Sequence, residues 1–201
     1  MTNSDSINRL PVRWQASFNG AKTTLRELDL LEELGDIVED VAETDTHDWS
    51  VKDVLEKHGY PPKSFSAGTI NSDADGFKEP VRIEHEKSQQ KVFRDHVAKS
   101  DFIYKNYDKI DVLVFLFPVG DYDANFKRSV NDLRGEFFTD YCSVEVPILL
   151  IEYVAHGGNL DEAYSDEVID EQLRLASRAL SNPIPAGSVV YEDGDKHEID
   201  G

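Results

Sequence analysis

Two segments, KIDVLVFLFPV (109–119) and VEVPILLIEYV (144–154), are apolar almost without interruption. A half-exposed strand alternates apolar with polar residues, whereas an unbroken apolar strand is covered on both faces. Such strands belong inside a sheet, with helices above and below it. The intervening sequence supplies the helices. KSQQKVFRDHVAKSDFIYKNY (87–107) carries Val92, Phe93, Val97 and Phe102 at helical spacing, and DANFKRSVNDLRGEFFTDY (123–141) carries Phe126, Val130, Leu133 and Phe137. The predicted class is α/β, a sandwich with a central mixed sheet flanked by helices.

Further elements follow from the same reading. Thr23 or Thr24 caps a helix that runs to about Val41 with Leu25, Leu28, Leu31, Leu34 and Val38 on one face. Ser50 caps a short helix with Val51, Val54 and Leu55 inward, ended by Gly59 and Pro61. Residues 1–21 read as irregular, SAGTINSDADG (66–76) as turn-rich, and 80–86 as a strand. HGGN (156–159) reads as a turn, 160–180 as a helix, SVVYEDG (188–194) as an edge strand, and 192–201 as a frayed acidic tail. With no linker or repeat, 1–201 is expected to be one domain.

A formal charge of −19 taken as a bulk quantity argues against a nucleic-acid partner, since phosphate binding is driven by Lys and Arg. Its distribution argues otherwise. Residues 78–134 hold 11 bases and 10 acids, whereas the flanks hold 10 bases and 30 acids. A DNA mimic has no reason to exempt its centre; a salt-adapted enzyme acting on a polyanion does. Cys142 stands alone, which excludes an internal disulfide. The start, MTNSDSINRL, lacks the basic-then-apolar pattern of a signal peptide, and no apolar run reaches membrane-span length. The expectation is a cytoplasmic protein with no membrane partner.

The stretch DGFKEPVRIEHEKSQ (75–89) carries the candidate chemistry. Side chains alternate along a strand, so Glu84 and Glu86 project to one side. Like charges there repel, and packing alone does not reward them. Asp75 lies just upstream, after a turn that lets it fold back. Three converging carboxylates make a hard-oxygen site that suits Mg2+. The plain alternative is a solvated face on an exposed edge strand. His85 points away from the carboxylates and reads as a packed histidine; His96 has no partner that the sequence places.

Asp75, eight intervening residues and Glu84-His85-Glu86 resemble the catalytic motif of PD-(D/E)XK nucleases. The surrounding blocks resemble the Bgl/Bam type of type II restriction endonuclease. They are WSVKDVLEKHGYPPKSF, DGFKEPVRIEHEKSQ, NYDKIDVLVFLFP and GEFFTDYCSVEVPILLIEYV, in order over about residues 45–155. The resemblance implies a restriction-endonuclease-like fold and a homodimer that uses Mg2+ to hydrolyse duplex DNA at a short palindrome, often with a GATC core. A cognate DNA methyltransferase is the expected companion. Asp75 and Glu84 match the metal ligands, with the His85 carbonyl as a further one. Glu86 takes the position at which the wider superfamily has Lys, leaving open whether Glu86 or a metal-bound hydroxide is the base. Arg82, Lys87, Lys91, Lys127 and Arg128 are the expected DNA contacts. Two other readings stand beside this one: an inactive DNA-binding relative, and an acidic interaction or DNA-mimic protein.

Overall fold

The computed structural model describes residues 12–44, 46–87, 90–107, 109–119, 123–138, 143–155, 189–192 and 195–198. The expected turn at 156–159 and helix at 160–180 lie outside the described residues.

The two apolar runs form strands β6 (Val112–Pro118) and β7 (Ile148–Tyr153), both wholly buried. They pair in parallel, and β5 (Val81–His85) pairs in parallel with β6 on its other side. Parallel neighbours need long crossovers. Helix α4 (Gln90–Tyr107) links β5 to β6, and α5 (Asp123–Asn131) with a wide π-type turn at Asp132–Glu136 links β6 to β7. Strand β4 (Gly76–Lys78) adds antiparallel to β5, and β1 (Val12–Phe18) adds antiparallel to β7. These five strands make the mixed body of the sheet. The hairpin β8 (Val189–Glu192) and β9 (Asp195–Glu198) extends it to the order β4-β5-β6-β7-β1-β8-β9.

Alternation along β6 explains its unbroken apolar run. Val112, Val114 and Leu116 pack under α1 (Ala21–Glu27), α2 (Leu31–Glu43) and α3 (Asp48–Lys57). Leu113, Phe115 and Phe117 pack against Phe93, Val97 and Ile103 of α4 and Phe126 and Val130 of α5. The sheet thus has helices on both faces. The second face also carries a separate hairpin, β2 (Lys63–Ala67) and β3 (Ile70–Ala74), through Phe65, Ala67 and Ala74. Asp101 fixes α4 to the chain entering β7: its Oδ1 accepts the N–H groups of Glu145 and Val146 at 2.7 and 3.0 Å.

The structure corrects several expectations. Residues 12–18 are not irregular; β1 was hidden because Arg13, Gln15 and Ser17 are polar yet buried. The helix expected from Thr23 to Val41 is two, since the chain turns at Asp29 (φ 58°) and the Leu30 N–H bonds the Leu25 carbonyl at 3.0 Å. The turn-rich segment 66–76 contains the β2–β3 turn and β3, reversing at Gly68 with φ 64°, which glycine adopts without steric cost. The helix expected over 123–141 ends in the π-type turn, where Gly135 has φ 106°. SVVYEDG is not an edge strand, because β9 pairs outside it, and part of the expected frayed tail is that strand.

Candidate functional site

Strand β5 is not an exposed edge. It lies between β4 and β6, and every residue in it is buried. Its two faces divide the chemistry. Val81 and Ile83 enter the core beneath α1–α3, so Arg82 and Glu84 face the α4 side.

Register brings Asp75 to Glu84. Gly76 pairs with Ile83, so the next step outward sets Asp75 opposite Glu84. The Asp75 carboxylate accepts the His85 main-chain N–H at 2.9 Å on Oδ2 and meets Lys52 Nζ at 3.0 Å on Oδ1. Its side chain is 21% exposed, so it forms the solvent-facing lip of the site. Hydrogen bonding to Asp75 raises the Lys52 ammonium above its ordinary pKa, with the charges of Asp75, Asp48 and Glu84 adding to the effect.

Glu84 is the buried member. Its Oε1 accepts from Arg82 Nε at 2.5 Å, and the two side chains are 1% and 0% exposed. Arg82 Nη2 also donates to Ser72 Oγ at 2.9 Å and to the Asp73 carbonyl at 2.8 Å. Burial pushes the Glu84 carboxyl up to about 8; Arg82 opposes this and the charge of Asp75 reinforces it. The second oxygen, Oε2, has no hydrogen-bond partner among the described residues. His96 Nδ1 on α4 stands 3.4 Å from it and likewise takes no hydrogen bond. Burial and the neighbouring Arg82 guanidinium push His96 down to about 4.

His85 packs on the opposite face, as expected. Its Nε2 lies 2.9 Å from the Tyr153 hydroxyl, and burial pushes its pKa down to about 4. Its Nδ1 lies 3.8 Å from Asp48 at the start of α3, and Asp48 in turn meets Lys87 Nζ at 3.0 Å.

Asp75 and Glu84 therefore come together, but the three carboxylates do not converge as a set. Glu86 follows the end of β5, 3% exposed, with its N–H donated to the Leu116 carbonyl at 2.9 Å. Among the described residues no group of three or more His, Cys, Asp or Glu side chains is placed to hold a metal ion. Arg82 draws Glu84 inward, while Lys52 and the His85 N–H hold Asp75 at the lip. A hard divalent cation still fits this pair: two carboxylates stand opposite each other, one with an orphaned buried oxygen, and Mg2+ fills its remaining positions with water.

The expected phosphate contacts divide. Arg82 is fully buried and committed to Glu84, so it presents no charge to a ligand at the surface. Lys87 is drawn to Asp48 and to the Thr46 carbonyl at 2.6 Å. Lys91 and Arg128 are exposed, and Lys127 is half-buried. These last three follow the carboxyl ends of β5 and β6, the end of the sheet where Glu84 lies.

Three participants escaped the sequence reading. Asp48 and Lys52 are one helical turn apart on α3, beside the inward Val51 and Leu55. His96 interrupts the inward stripe of Phe93, Val97 and Ser100 on α4. In each case a polar residue beside an apolar helical stripe was the available signal. No protein-family model and no curated protein matches the chain.

Proposed function

We propose that the chain is a Mg2+-dependent endonuclease of the type II restriction class, with a restriction-endonuclease-like fold, acting on duplex DNA as a homodimer. The observation that carries this reading is the register that sets Asp75 opposite Glu84 at the end of β5, one carboxylate at the surface and one buried. The motif resemblance falls on the same residues. Open α/β sheets also bind ligands at the carboxyl ends of their strands, where Lys91, Lys127 and Arg128 follow.

Asp75 and Glu84, with the His85 carbonyl, would hold the Mg2+, which when bound supplies Lewis acidity at the scissile phosphate. Glu84 must release its proton to serve as a ligand, because only the carboxylate binds well. Glu86 would orient the attacking water. Lys52, whose ammonium stands 3.0 Å from Asp75, would take the part that a motif lysine has in the wider superfamily, stabilising charge that develops on a phosphate bound there. A palindromic site and a companion methyltransferase complete the proposal.

A second reading, a relative that binds DNA without cutting it, is favoured by the commitment of one Glu84 oxygen to Arg82. Incubating supercoiled plasmid with the protein and Mg2+ separates the two. Cleavage that stops with chelator and is absent in Asp75→Ala supports the enzyme; DNA binding without cleavage supports the relative.

A further inference from the structure

We propose that Trp49, with His47 beside it, is a stacking platform for one unpaired nucleobase of a DNA strand lying across the carboxyl end of β5. The proposal rests on the reading above in taking DNA as the partner, and it adds a residue that the motif does not contain.

Trp49 is the most exposed of the large apolar side chains among the described residues, at 65%. It lies on the first turn of α3, whose buried side is Ser50, Val51, Val54 and Leu55. Asp53 and Glu56 share its outward side and are exposed, so packing asks for nothing apolar at this position. The exposed His47 ring, just before the helix, lies nearly parallel to the indole, at 14° with the centroids 6.4 Å apart. Two flat rings thus present a π surface to solvent. The neighbouring residues fix where that surface stands. Asp48 meets Lys87 just beyond β5, and Lys52 meets Asp75, each at 3.0 Å. Trp49 lies between Asp48 and Lys52 on the same helical turn, so the indole stands beside the carboxyl end of β5.

Charge decides which occupant fits. Arg82, Lys52 and Lys87 are paired with Glu84, Asp75 and Asp48, so these cations offer a phosphate little net attraction. Stacking needs no cation, because every base has a π face. Salt screens charges and leaves such a contact in place. In a nucleotide the sugar separates base from phosphate, so an extruded base reaches the ring without bringing its phosphate onto Asp48, Asp53 or Glu56. Inside a closed duplex the base faces are covered by their neighbours, so the base that stacks here is an unpaired one. A protein partner fits less well: it would meet one indole among exposed carboxylates instead of a continuous apolar patch.

The chain has two tryptophans, and Trp14 is only 4% exposed, so changes in indole emission on binding report mainly Trp49. The full chain is titrated without Mg2+, at low and high KCl, with a duplex carrying one unpaired thymidine and with the same duplex fully paired. The bulged duplex should quench the emission and the closed duplex far less. Trp49→Ala, a surface change that keeps the fold, should remove the quenching. It should also weaken the bulged duplex by about fivefold to 150-fold at both KCl concentrations, read by anisotropy of a label on the DNA. Trp49→Phe should keep most of the affinity. Equal quenching by the two duplexes or unchanged affinity in Trp49→Ala would overturn the proposal. So would poor quenching of the free protein by acrylamide, which means that a second copy covers the indole. A bulged duplex held through Trp49 but never cut with Mg2+ leaves this inference standing and removes the nuclease reading. Cleavage with unchanged binding in Trp49→Ala does the reverse.

Discussion

Arg82 and Glu84 stand two residues apart on one face of β5, and their side chains pair where neither reaches solvent. Above about pH 8, where Glu84 is ionised, these are two charges taken out of water at several kcal/mol each, and their mutual attraction roughly offsets that cost. Removing one partner there leaves the other uncompensated. At pH 9, Arg82→Ala should therefore lower the unfolding free energy by about 3–5 kcal/mol. The double variant Arg82→Met with Glu84→Leu should lose much less than Arg82→Ala alone. Urea unfolding followed by tryptophan fluorescence checks both; a double variant as unstable as the single one would show that the charges are not the cause.

The buried titratable groups set a pH optimum for stability. Glu84 has its folded value raised to about 8 from 4.5, so its contribution is complete below pH 4.5 and lost as pH rises through 8. His85 and His96 are lowered to about 4 from 6.5, so theirs is complete above pH 6.5 and lost as pH falls through 4. From pH 4.5 to 6.5 two histidines oppose one glutamate, and stability rises with pH. Above 6.5 only Glu84 titrates among the three, and stability falls. Thermal melts should peak near pH 6.5, and Glu84→Gln should flatten the alkaline limb while leaving the acid limb. A wild-type profile that keeps rising to pH 8 would refute the raised Glu84 value.

What the sequence disclosed and what it hid have one physical basis. β6 and β7 were legible because burial on both faces demands an apolar residue at every position. β1 was not, since its buried positions include Arg13, Gln15 and Ser17. The β2–β3 hairpin was hidden among Ser, Asn and Asp, which serve turns and outward strand faces equally well. At the site, the alternation of β5 puts Arg82 and Glu84 on one face, but alternation alone does not say whether the guanidinium turns along the strand to neutralise Glu84 or outward to meet DNA. Lys52 and His96 depend on how α3 and α4 dock on the strand ends, which no local pattern encodes.

Lys52 separates an electrostatic role in catalysis from a structural one. Its side chain is 40% exposed, so Lys52→Gln should leave the melting temperature nearly unchanged. Plasmid cleavage should fall by about a hundredfold in kcat, the size seen when one donor to developing charge is removed. Lys52→Arg should recover part of that loss. Full activity in Lys52→Gln would show that the ammonium only balances Asp75 in the absence of substrate.

The last prediction concerns where DNA lies. With a formal charge of −19, most of the surface repels a polyanion, so binding must rest on a local group of bases. Lys91 opens α4 and Arg128 lies on α5, so both helices follow the carboxyl end of a parallel strand, the end of β5 at which Glu84 lies. Lys109 is also exposed but precedes β6, at the opposite end of the sheet. Removing one cation that neutralises a phosphate lowers the salt slope of binding by about 0.9. Lys91→Ala with Arg128→Ala should therefore flatten the slope by about two units, and Lys109→Ala should leave it unchanged. Fluorescence anisotropy with a labelled duplex across a KCl series, with folding checked at each salt, measures both. An equal change in the two proteins would move the DNA away from the carboxyl end of the sheet, and with it the scissile phosphate away from Asp75.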